Sequence, residues 1–180
     1  MKNELTMTLM CGLARCGKST YAKKYAKDAV IVCPDRIRKL LFGHQFHRDA
    51  EDFVWAYAKG MVKLILEQGK NVLIDATNLN FVSREMWYRI AVDYKANIRV
   101  VWVKTSLKEC RKRNANSPKD ERLSDVVLDR MAWMFENPTE DSIDSVRYDI
   151  TVLEEPYRGK YGDCGNIYGE AVLAGRGGII

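Results

Sequence analysis

A glycine-rich loop with the spacing G-x-x-x-x-G-K-S constrains the possible folds of this chain more than any other feature. Gly12 and Gly17 bracket the loop, Lys18 and Ser19 follow, and the apolar run of residues 5–11 precedes it. A strand that leads into such a loop, with a helix behind it, lets backbone N–H groups surround a phosphate at the positive end of the helix dipole. The pattern therefore predicts a strand–loop–helix unit that binds a nucleotide.

The loop residues have distinct expected roles toward ATP and Mg²⁺. Lys18 would reach the outer phosphates, and the Ser19 hydroxyl would bind Mg²⁺. The thiol of Cys16 lies at the positive end of the following helix, where a thiolate is favoured. The residues expected to bind the nucleotide are Gly12, Arg15, Cys16, Gly17, Lys18, Ser19 and Thr20.

Apolar strands alternate with helices through the first 153 residues. The segments with the apolar character of buried strands are residues 5–11, 30–33, 71–75, 98–103 and 147–153. The segments that favour helices are residues 17–27, 35–42, 49–68, 81–95, 106–114 and 124–135. Because continuous apolar strands need cover on both sides, this alternation predicts an α/β fold with a parallel sheet between two helical layers.

The composition is typical of a soluble single domain. Of the 180 residues, 47% are apolar and 29% are charged. No apolar run approaches the ~18 residues of a membrane span. Five cysteines without C-x-x-C pairs fit reduced thiols in the cytoplasm, which for a chain of phage origin is the host cytoplasm. The net charge of +5 permits a polyanionic partner without requiring one.

The last part of the chain differs in character, because residues 154–180 are rich in glycine and tyrosine. We expect residues 1–153 to form the functional domain, with a lid at about residues 111–124. The role of the tail stays open. It could pack on its own domain or on a neighbouring chain, and in the second case the protein would be an oligomer.

The polar residues outside the loop favour phosphoryl transfer over GTP hydrolysis. The N-K-x-D and D-x-x-G motifs of GTPases are absent, so transfer of the γ-phosphoryl group to an acceptor hydroxyl is the leading reaction. Asp35 follows the second strand, where a carboxylate can orient a hydroxyl and take its proton, and where it would also suit a helix N-cap. Arg38 shares a helix face with Asp35 and could hold an acceptor phosphate, although a solvated surface arginine is the alternative.

Three further features complete the candidate site. Asp75 ends the third strand in the Walker B position, where a carboxylate binds Mg²⁺ or its water. Asn78 is a candidate contact for the substrate and fits a turn or a cap equally well. The polar segment around Pro118 has the features of a lid, from which an arginine could stabilise charge in the transition state. Arg122 and Arg113 rank first among the arginines available.

Five motifs then occur in a recognisable order and spacing. They are the loop at residues 12–20, Asp35 with Arg38, I-D-A-T-N-L-N at residues 74–80, R-K-R-N at residues 111–114 and V-L-D-R-M at residues 127–131. Over roughly residues 5–153 the combination resembles the bacteriophage and bacterial polynucleotide kinase domain.

The resemblance implies a P-loop kinase fold with a five-stranded parallel sheet and a helical lid. It also implies transfer of phosphate from ATP to the 5′-hydroxyl of DNA or RNA. By the same resemblance Asp35 is the general base, Arg38 contacts the phosphate beside the acceptor nucleoside, and a lid arginine helps to activate the γ-phosphate. The expected catalytic residues are Asp35, Lys18, Arg122 and Arg113, and the expected substrate residues are Asp35, Arg38 and Asn78.

Other acceptors remain open within the wider family. Some members phosphorylate 5-hydroxymethyluracil bases in phage DNA, and the aromatic residues Phe42, Phe46, Trp55 and Tyr57 could line a pocket for such an extruded base, although core packing is their commoner use. Others act on small molecules such as nucleosides, sugars or antibiotics. A non-catalytic nucleotide-binding protein is the alternative outside enzymes.

Overall fold

The computed structural model describes residues 4–43, 48–143 and 146–154, and its framework is one parallel sheet. The strands are β1 (Thr6–Cys11), β2 (Ala29–Val32), β3 (Asn71–Ile74), β4 (Asn97–Lys104) and β5 (Tyr148–Glu154). They lie in the order β2-β3-β1-β4-β5, and every neighbouring pair is parallel. The predicted five-stranded parallel sheet is confirmed.

The predicted helices are confirmed as well, with ends that differ by a few residues. They are α1 (Lys18–Tyr25), α2 (Pro34–Phe42), α3 (Glu51–Glu67), α4 (Phe81–Asp93), α5 (Leu107–Ala115) and α6 (Asp125–Trp133). Short polar side chains fix several helix starts, because Asn80, Ser106 and Ser124 each accept a hydrogen bond from a backbone N–H in the first turn. Three short 3₁₀ turns, which the sequence patterns did not predict, cover Arg48–Ala50, Lys119–Glu121 and Pro138–Glu140.

The central part of the sheet is buried on both faces, as its runs of apolar residues require. Along β1, the side chains of Met7 and Leu9 pack on one face against buried residues of α3 and α4. Met10 points to the opposite face and packs against buried residues of α1 and α5. The helices therefore form two layers around the sheet, and the polar loops are confined to its two ends.

The strand register brings three loops together at the carboxyl end of the sheet. Leu9 of β1 and Val32 of β2 both pair with Ile74 of β3, so these three strands end at nearly the same level. The strand order reverses at β1, which lies between β3 and β4. Ligands of open α/β sheets bind at such a switch point, and the glycine-rich loop leaves β1 there.

A buried ion pair joins helix α4 to the segment before β5. The fully buried guanidinium of Arg84 donates from Nε and Nη2 to the two oxygens of Asp141, at 2.6 and 2.8 Å. Its Nη1 donates to the carbonyls of Asn78 and Glu136, at 3.1 Å each, and the Tyr88 hydroxyl donates to Asp141 at 2.7 Å. Burial alone would lower the pKa of Arg84, but the hydrogen bond and the charge of Asp141 raise it, so the guanidinium stays charged.

The predicted C-terminal tail begins within β5, because that strand runs to Glu154. Residues 155–180 lie outside the described residues, so the boundary between domain and tail stays a prediction. Within the described ranges, no helix combines the length and the apolar character needed to cross a membrane. The cysteines there, Cys11, Cys16, Cys33 and Cys110, are buried free thiols.

Removal of Arg84 is expected to destabilise the fold strongly. Arg84→Met should lower the free energy of unfolding by about 3–5 kcal/mol, because Asp141 would stay buried without its partner. Urea unfolding followed by circular dichroism measures the loss. Arg89→Met is the matched control, since Arg89 lies on the same helix in an exposed pair with Glu85 at 2.7 Å and should contribute under about 0.5 kcal/mol. Equal losses for the two variants would contradict the role given to Arg84.

Candidate functional site

The glycine-rich loop has a backbone that only particular residues can adopt. Gly12, Arg15 and Gly17 have positive φ angles of +136°, +65° and +112°. A Cβ on Gly12 would stand 2.7 Å from the carbonyl oxygen of Val103, which is closer than real Cβ contacts. The Gly12 N–H donates to the Thr77 carbonyl at 3.0 Å. Both neighbouring strands therefore hold the start of the loop in place.

Helix α1 begins directly at the end of this loop. Its N-cap is Gly17, which has no side chain to accept a bond from the first-turn N–H groups. Ser19 and Thr20 lie in that first turn and are partly buried. A helix start of this kind, next to a loop with positive φ angles, suits an anion such as a nucleotide phosphate.

The Lys18 side chain folds back into the loop. Its Nζ donates to the carbonyl oxygens of Gly12 at 3.1 Å and Leu13 at 2.6 Å, and it lies 3.6 Å from the Cys16 Sγ. The side chain is buried. The ammonium group is thus already at the centre of the loop, where the outer phosphates of a nucleotide would need a cation.

Asp75 lies beside Ser19 at the end of β3. The Ser19 side chain donates a hydrogen bond to the buried Asp75 carboxylate. Burial raises the pKa of Asp75, while the hydrogen bond from Ser19 and the charge of Lys18 act in the opposite direction. A carboxylate and a hydroxyl side by side are hard oxygen donors, so this pair fits the ligand chemistry of Mg²⁺.

Asp35 lies at the same edge of the sheet, in the first turn of α2. The N-cap of this helix is Cys33, so Asp35 is not the cap and its side chain is left for other contacts. The side chain is 88% exposed and accepts a hydrogen bond from Arg38 Nη1 at 2.5 Å. The negative charge of Asp35 also raises the pKa of Asp75, which places the two carboxylates within electrostatic range.

Arg38 is held by a second carboxylate that the sequence did not point to. Its Nε and Nη2 donate to the two oxygens of Glu51, at 2.6 and 2.5 Å, and its guanidinium lies 5.8 Å from the ring centre of Trp55. A guanidinium has five N–H donors, so Glu51 and Asp35 leave one on each terminal nitrogen of Arg38. In the sequence, Glu51 is distinguished only as an acidic residue in the first turn of a helix. Such a residue usually indicates stabilisation of the helix dipole and not contact with a particular arginine.

The two arginines ranked first for the predicted lid make different contacts. Arg113 Nη1 donates to the loop carbonyls of Cys16 at 3.0 Å and Arg15 at 3.4 Å, so Arg113 supports the backbone of the loop. Arg122 is exposed, and its Nε donates a hydrogen bond to the Ser117 carbonyl at 2.8 Å. The Arg15 side chain donates to the carbonyl of Glu121 in the lid, which ties the loop tip to the lid.

The side-chain amide of Asn114 closes a turn within the predicted lid. The Asn114 side chain donates to the carbonyl of Leu123 at 2.7 Å and accepts from the Leu123 N–H at 3.0 Å. These two bonds join the end of α5 to the residue before α6. Residues 114–123, which lie within the predicted lid, therefore form a compact turn with fixed ends.

Asn78, which we expected to contact the substrate, instead lies in the core. Its side chain donates to the Met10 carbonyl at 2.7 Å and accepts from Trp87 Nε1 at 3.2 Å. Its backbone has a positive φ of +45°, a conformation that asparagine tolerates well. The buried amide braces the turn after β3, and a contact with the substrate stays a prediction.

Comparisons with known proteins place the chain in a family and identify its fold. A family model named AAA_33 and described as an AAA domain matches residues 7–138. The L-seryl-tRNA(Sec) kinase of Methanococcus maripaludis is 25% identical over 139 residues, which are 73% of this chain and 53% of that protein.

Two solved structures share the fold. A chain of the Pnkp1/Rnl/Hen1 RNA repair complex superposes with a TM-score of 0.66 and 21% identity, covering 74% of this chain and 45% of its own length. A gluconokinase from Sinorhizobium meliloti gives a TM-score of 0.55 and 15% identity, with 82% of each chain covered. The chain thus spans about half the length of the seryl-tRNA kinase and of the repair-complex chain. The fold is that of the P-loop kinases.

Neutralising Asp75 is expected to stabilise the ligand-free protein. Burial makes the folded state hold the Asp75 proton more tightly than the unfolded chain does, so stability from this group is lost as the pH rises above the ordinary value of 3.8. Asp75→Asn should therefore raise the Tm by a few degrees, at roughly 2–4 °C per kcal/mol, and more at pH 8 than at pH 4. Scanning calorimetry at both pH values measures the difference.

The control for this measurement is Asp28→Asn, an exposed aspartate in the turn before β2. It should change the Tm far less. A Tm for Asp75→Asn that is lower than that of the wild type at pH 8 would show that the carboxylate stabilises the empty site, contrary to this expectation.

Proposed function

Because the chain belongs to the AAA_33 family of AAA domains, we propose that it is an ATP-dependent kinase that phosphorylates a hydroxyl of a nucleic acid, foremost the 5′-hydroxyl of DNA or RNA. One observation carries the proposal: an exposed carboxylate, Asp35, is held by Arg38 at the same sheet edge as the phosphate loop. A nucleotide-binding loop alone would serve many functions. A carboxylate and a guanidinium across from it are what a hydroxyl acceptor with a neighbouring phosphate requires.

The donor side of the site would bind ATP. The loop N–H groups and the start of α1 would bind the phosphates, and the Lys18 ammonium would exchange its bonds to the Gly12 and Leu13 carbonyls for bonds to the outer phosphates. Ser19 and Asp75 would hold Mg²⁺, which when bound offsets the negative charge of the phosphates.

The acceptor side would position the attacking hydroxyl. The Asp35 carboxylate would accept a hydrogen bond from the hydroxyl and orient its oxygen toward the γ-phosphorus. As the new phosphorus–oxygen bond forms, the bond between the γ-phosphorus and the oxygen bridging to the β-phosphate breaks, and the hydroxyl proton passes to Asp35. The products are ADP and a phosphate monoester.

Arg38 would bind the phosphate next to the acceptor nucleoside. Glu51 and Asp35 occupy part of its guanidinium, and the N–H groups left on the two terminal nitrogens could form a fork on a phosphate. Arg122, in the exposed lid turn, is the arginine proposed to approach the transferred phosphoryl group. Arg113 is proposed to act on catalysis through the loop backbone that it supports.

The names of the similar proteins support this choice of acceptor. The seryl-tRNA kinase acts, by its name, on a group attached to RNA, and the repair complex is by its title an RNA repair assembly. The likeness to a gluconokinase keeps a small-molecule hydroxyl as the second candidate. The two candidates differ in whether the acceptor needs a phosphate for Arg38.

A screen of acceptors, together with a variant of the proposed general base Asp35, tests the proposal. With labelled ATP and Mg²⁺, the protein should phosphorylate 5′-hydroxyl oligonucleotides of DNA or RNA, and Asp35→Asn should lower kcat about a hundredfold while ATP affinity stays nearly unchanged. Asp28→Asn is the control, because Asp28 is an exposed aspartate at the opposite end of β2 from Asp35. Transfer to gluconate or a nucleoside alone, or no transfer to 5′-hydroxyl or hydroxymethyluracil nucleic acid, would overturn the proposal.

Glu51 is expected to position Arg38 for the acceptor phosphate. Glu51→Gln would weaken a charge-assisted pair, so KM should rise on the order of tenfold for a nucleoside 3′-phosphate acceptor. The KM for the same nucleoside without the phosphate should change much less. Steady-state kinetics on the two acceptors separates this role from a general loss of structure, which would affect both.

The neighbouring variant Asp52→Asn provides the comparison for Glu51→Gln. Asp52 is an exposed acid on the same turn of α3, and its substitution should leave the ratio of the two KM values unchanged. A ratio that responds equally to both substitutions would mean that the general charge of the helix start matters, and not the pair with Arg38.

A further inference from the structure

Three exposed aromatic rings continue the line of the candidate acceptor site away from Asp35. They are Phe42 at the end of α2 and Phe53 and Tyr57 on α3, and their side chains are 39%, 55% and 44% exposed. The ring centres of Phe42 and Phe53 are 6.2 Å apart, and those of Phe53 and Tyr57 are 6.3 Å apart. We call these three rings the aromatic track.

The track is continuous with the acceptor residues through helix spacing. Asp35, Arg38 and Phe42 stand at positions i, i+3 and i+7 of α2, which lie on one face of a helix. Phe53 and Tyr57 are one turn apart on α3, where Glu51 binds Arg38 and Trp55 lies under it. A carboxylate, a cation and three aromatic rings therefore follow one another along two packed helices.

We infer that the aromatic track binds the bases of a single-stranded nucleic acid whose terminal hydroxyl lies at Asp35. This inference rests on the proposed function and specifies its substrate as a strand of several nucleotides. The order of groups matches such a strand, because a terminal hydroxyl is followed by a phosphate and then by bases. Aromatic side chains stack on bases without regard to sequence, at about 1–3 kcal/mol per base.

The length of the track sets the number of nucleotides. Seven residues of helix cover about 10 Å between Asp35 and Phe42, and the two ring spacings of 6.2 and 6.3 Å bring the path to at most on the order of 20 Å. A stacked strand rises about 3.4 Å per nucleotide, so at most about six nucleotides would follow this path. Mononucleotides would reach Asp35 and Arg38 only.

The surroundings of the track favour stacking over charge as the source of affinity. Close to the rings in the sequence, the exposed basic residues Lys39 and Arg48 are balanced by the exposed acidic residues Asp49 and Asp52. Strand binding through the rings should therefore depend weakly on salt, unlike binding through a basic surface. A second copy of this chain is the other occupant that an apolar surface can take.

The test compares long and short acceptors in the full-length protein. With ATP and Mg²⁺, kcat/KM should be on the order of a hundredfold higher for an eight-nucleotide 5′-hydroxyl strand than for a nucleoside 3′-phosphate, since three stacked bases would each contribute about fivefold. Phe53→Ala and Tyr57→Ala should each reduce this ratio about fivefold, the lower end of one lost base stack. Phe53→Trp should preserve the ratio, since the larger ring still stacks. A labelled eight-nucleotide strand in fluorescence anisotropy should show the same weakening without turnover.

Trp133→Ala is the matched control, because Trp133 is an exposed aromatic residue on α6, outside the track. It should leave the length ratio unchanged. Equal ratios for the wild type, Phe53→Ala and Tyr57→Ala, with transfer to nucleic acid retained, would overturn the track and leave the proposed function standing. A change of mass in light scattering for Phe53→Ala, with no change in the ratio, would assign the rings to a dimer contact. Absence of transfer to any nucleic acid would instead remove the proposed function itself.

Discussion

The shape of the phosphate loop depends on a clamp around Gly12 at the carboxyl ends of two neighbouring strands. The Gly12 N–H bonds to the Thr77 carbonyl beyond β3, and the Val103 carbonyl of β4 leaves no room for a Cβ. From the other side, Thr105 and Arg113 bond to the carbonyl of Cys16. The sheet therefore imposes the loop conformation before any ligand arrives, and the parallel register of the strands determines the site.

The strands and helices were predictable because local signals specify them. Strands that are buried on both faces carry runs of apolar residues, as β1 does over residues 9–11 and β4 over residues 100–103, and turns with Gly or Pro separate them from amphipathic helices. The strand order was not predictable in this way, because the position of β3 between β1 and β2 depends on the packing of the whole chain. The cap of α2 was misplaced for a related reason, since Pro34 occupies the first helical position and moves the cap back to Cys33.

The site was predictable where a motif determines backbone geometry. The loop glycines, Lys18, Ser19 and Asp75 follow from spacing, and the structure brings them together at one sheet edge. Partners that are distant in sequence did not follow, because nothing local distinguishes Glu51 from the nearby acids until α3 packs against α2. Asn78 shows the converse: its position in a recognisable motif suggested a ligand contact, whereas its amide completes hydrogen bonds between β1 and α4.

The two hydrogen bonds between the Asn114 side chain and the Leu123 backbone have a consequence for the predicted lid. A segment held at both ends has already lost most of the backbone entropy that a free segment of that length would retain. If this segment closes over a ligand, as predicted, the closure would cost little further ordering. A hinge for such a motion would then be expected outside residues 114–123, in α5 and α6.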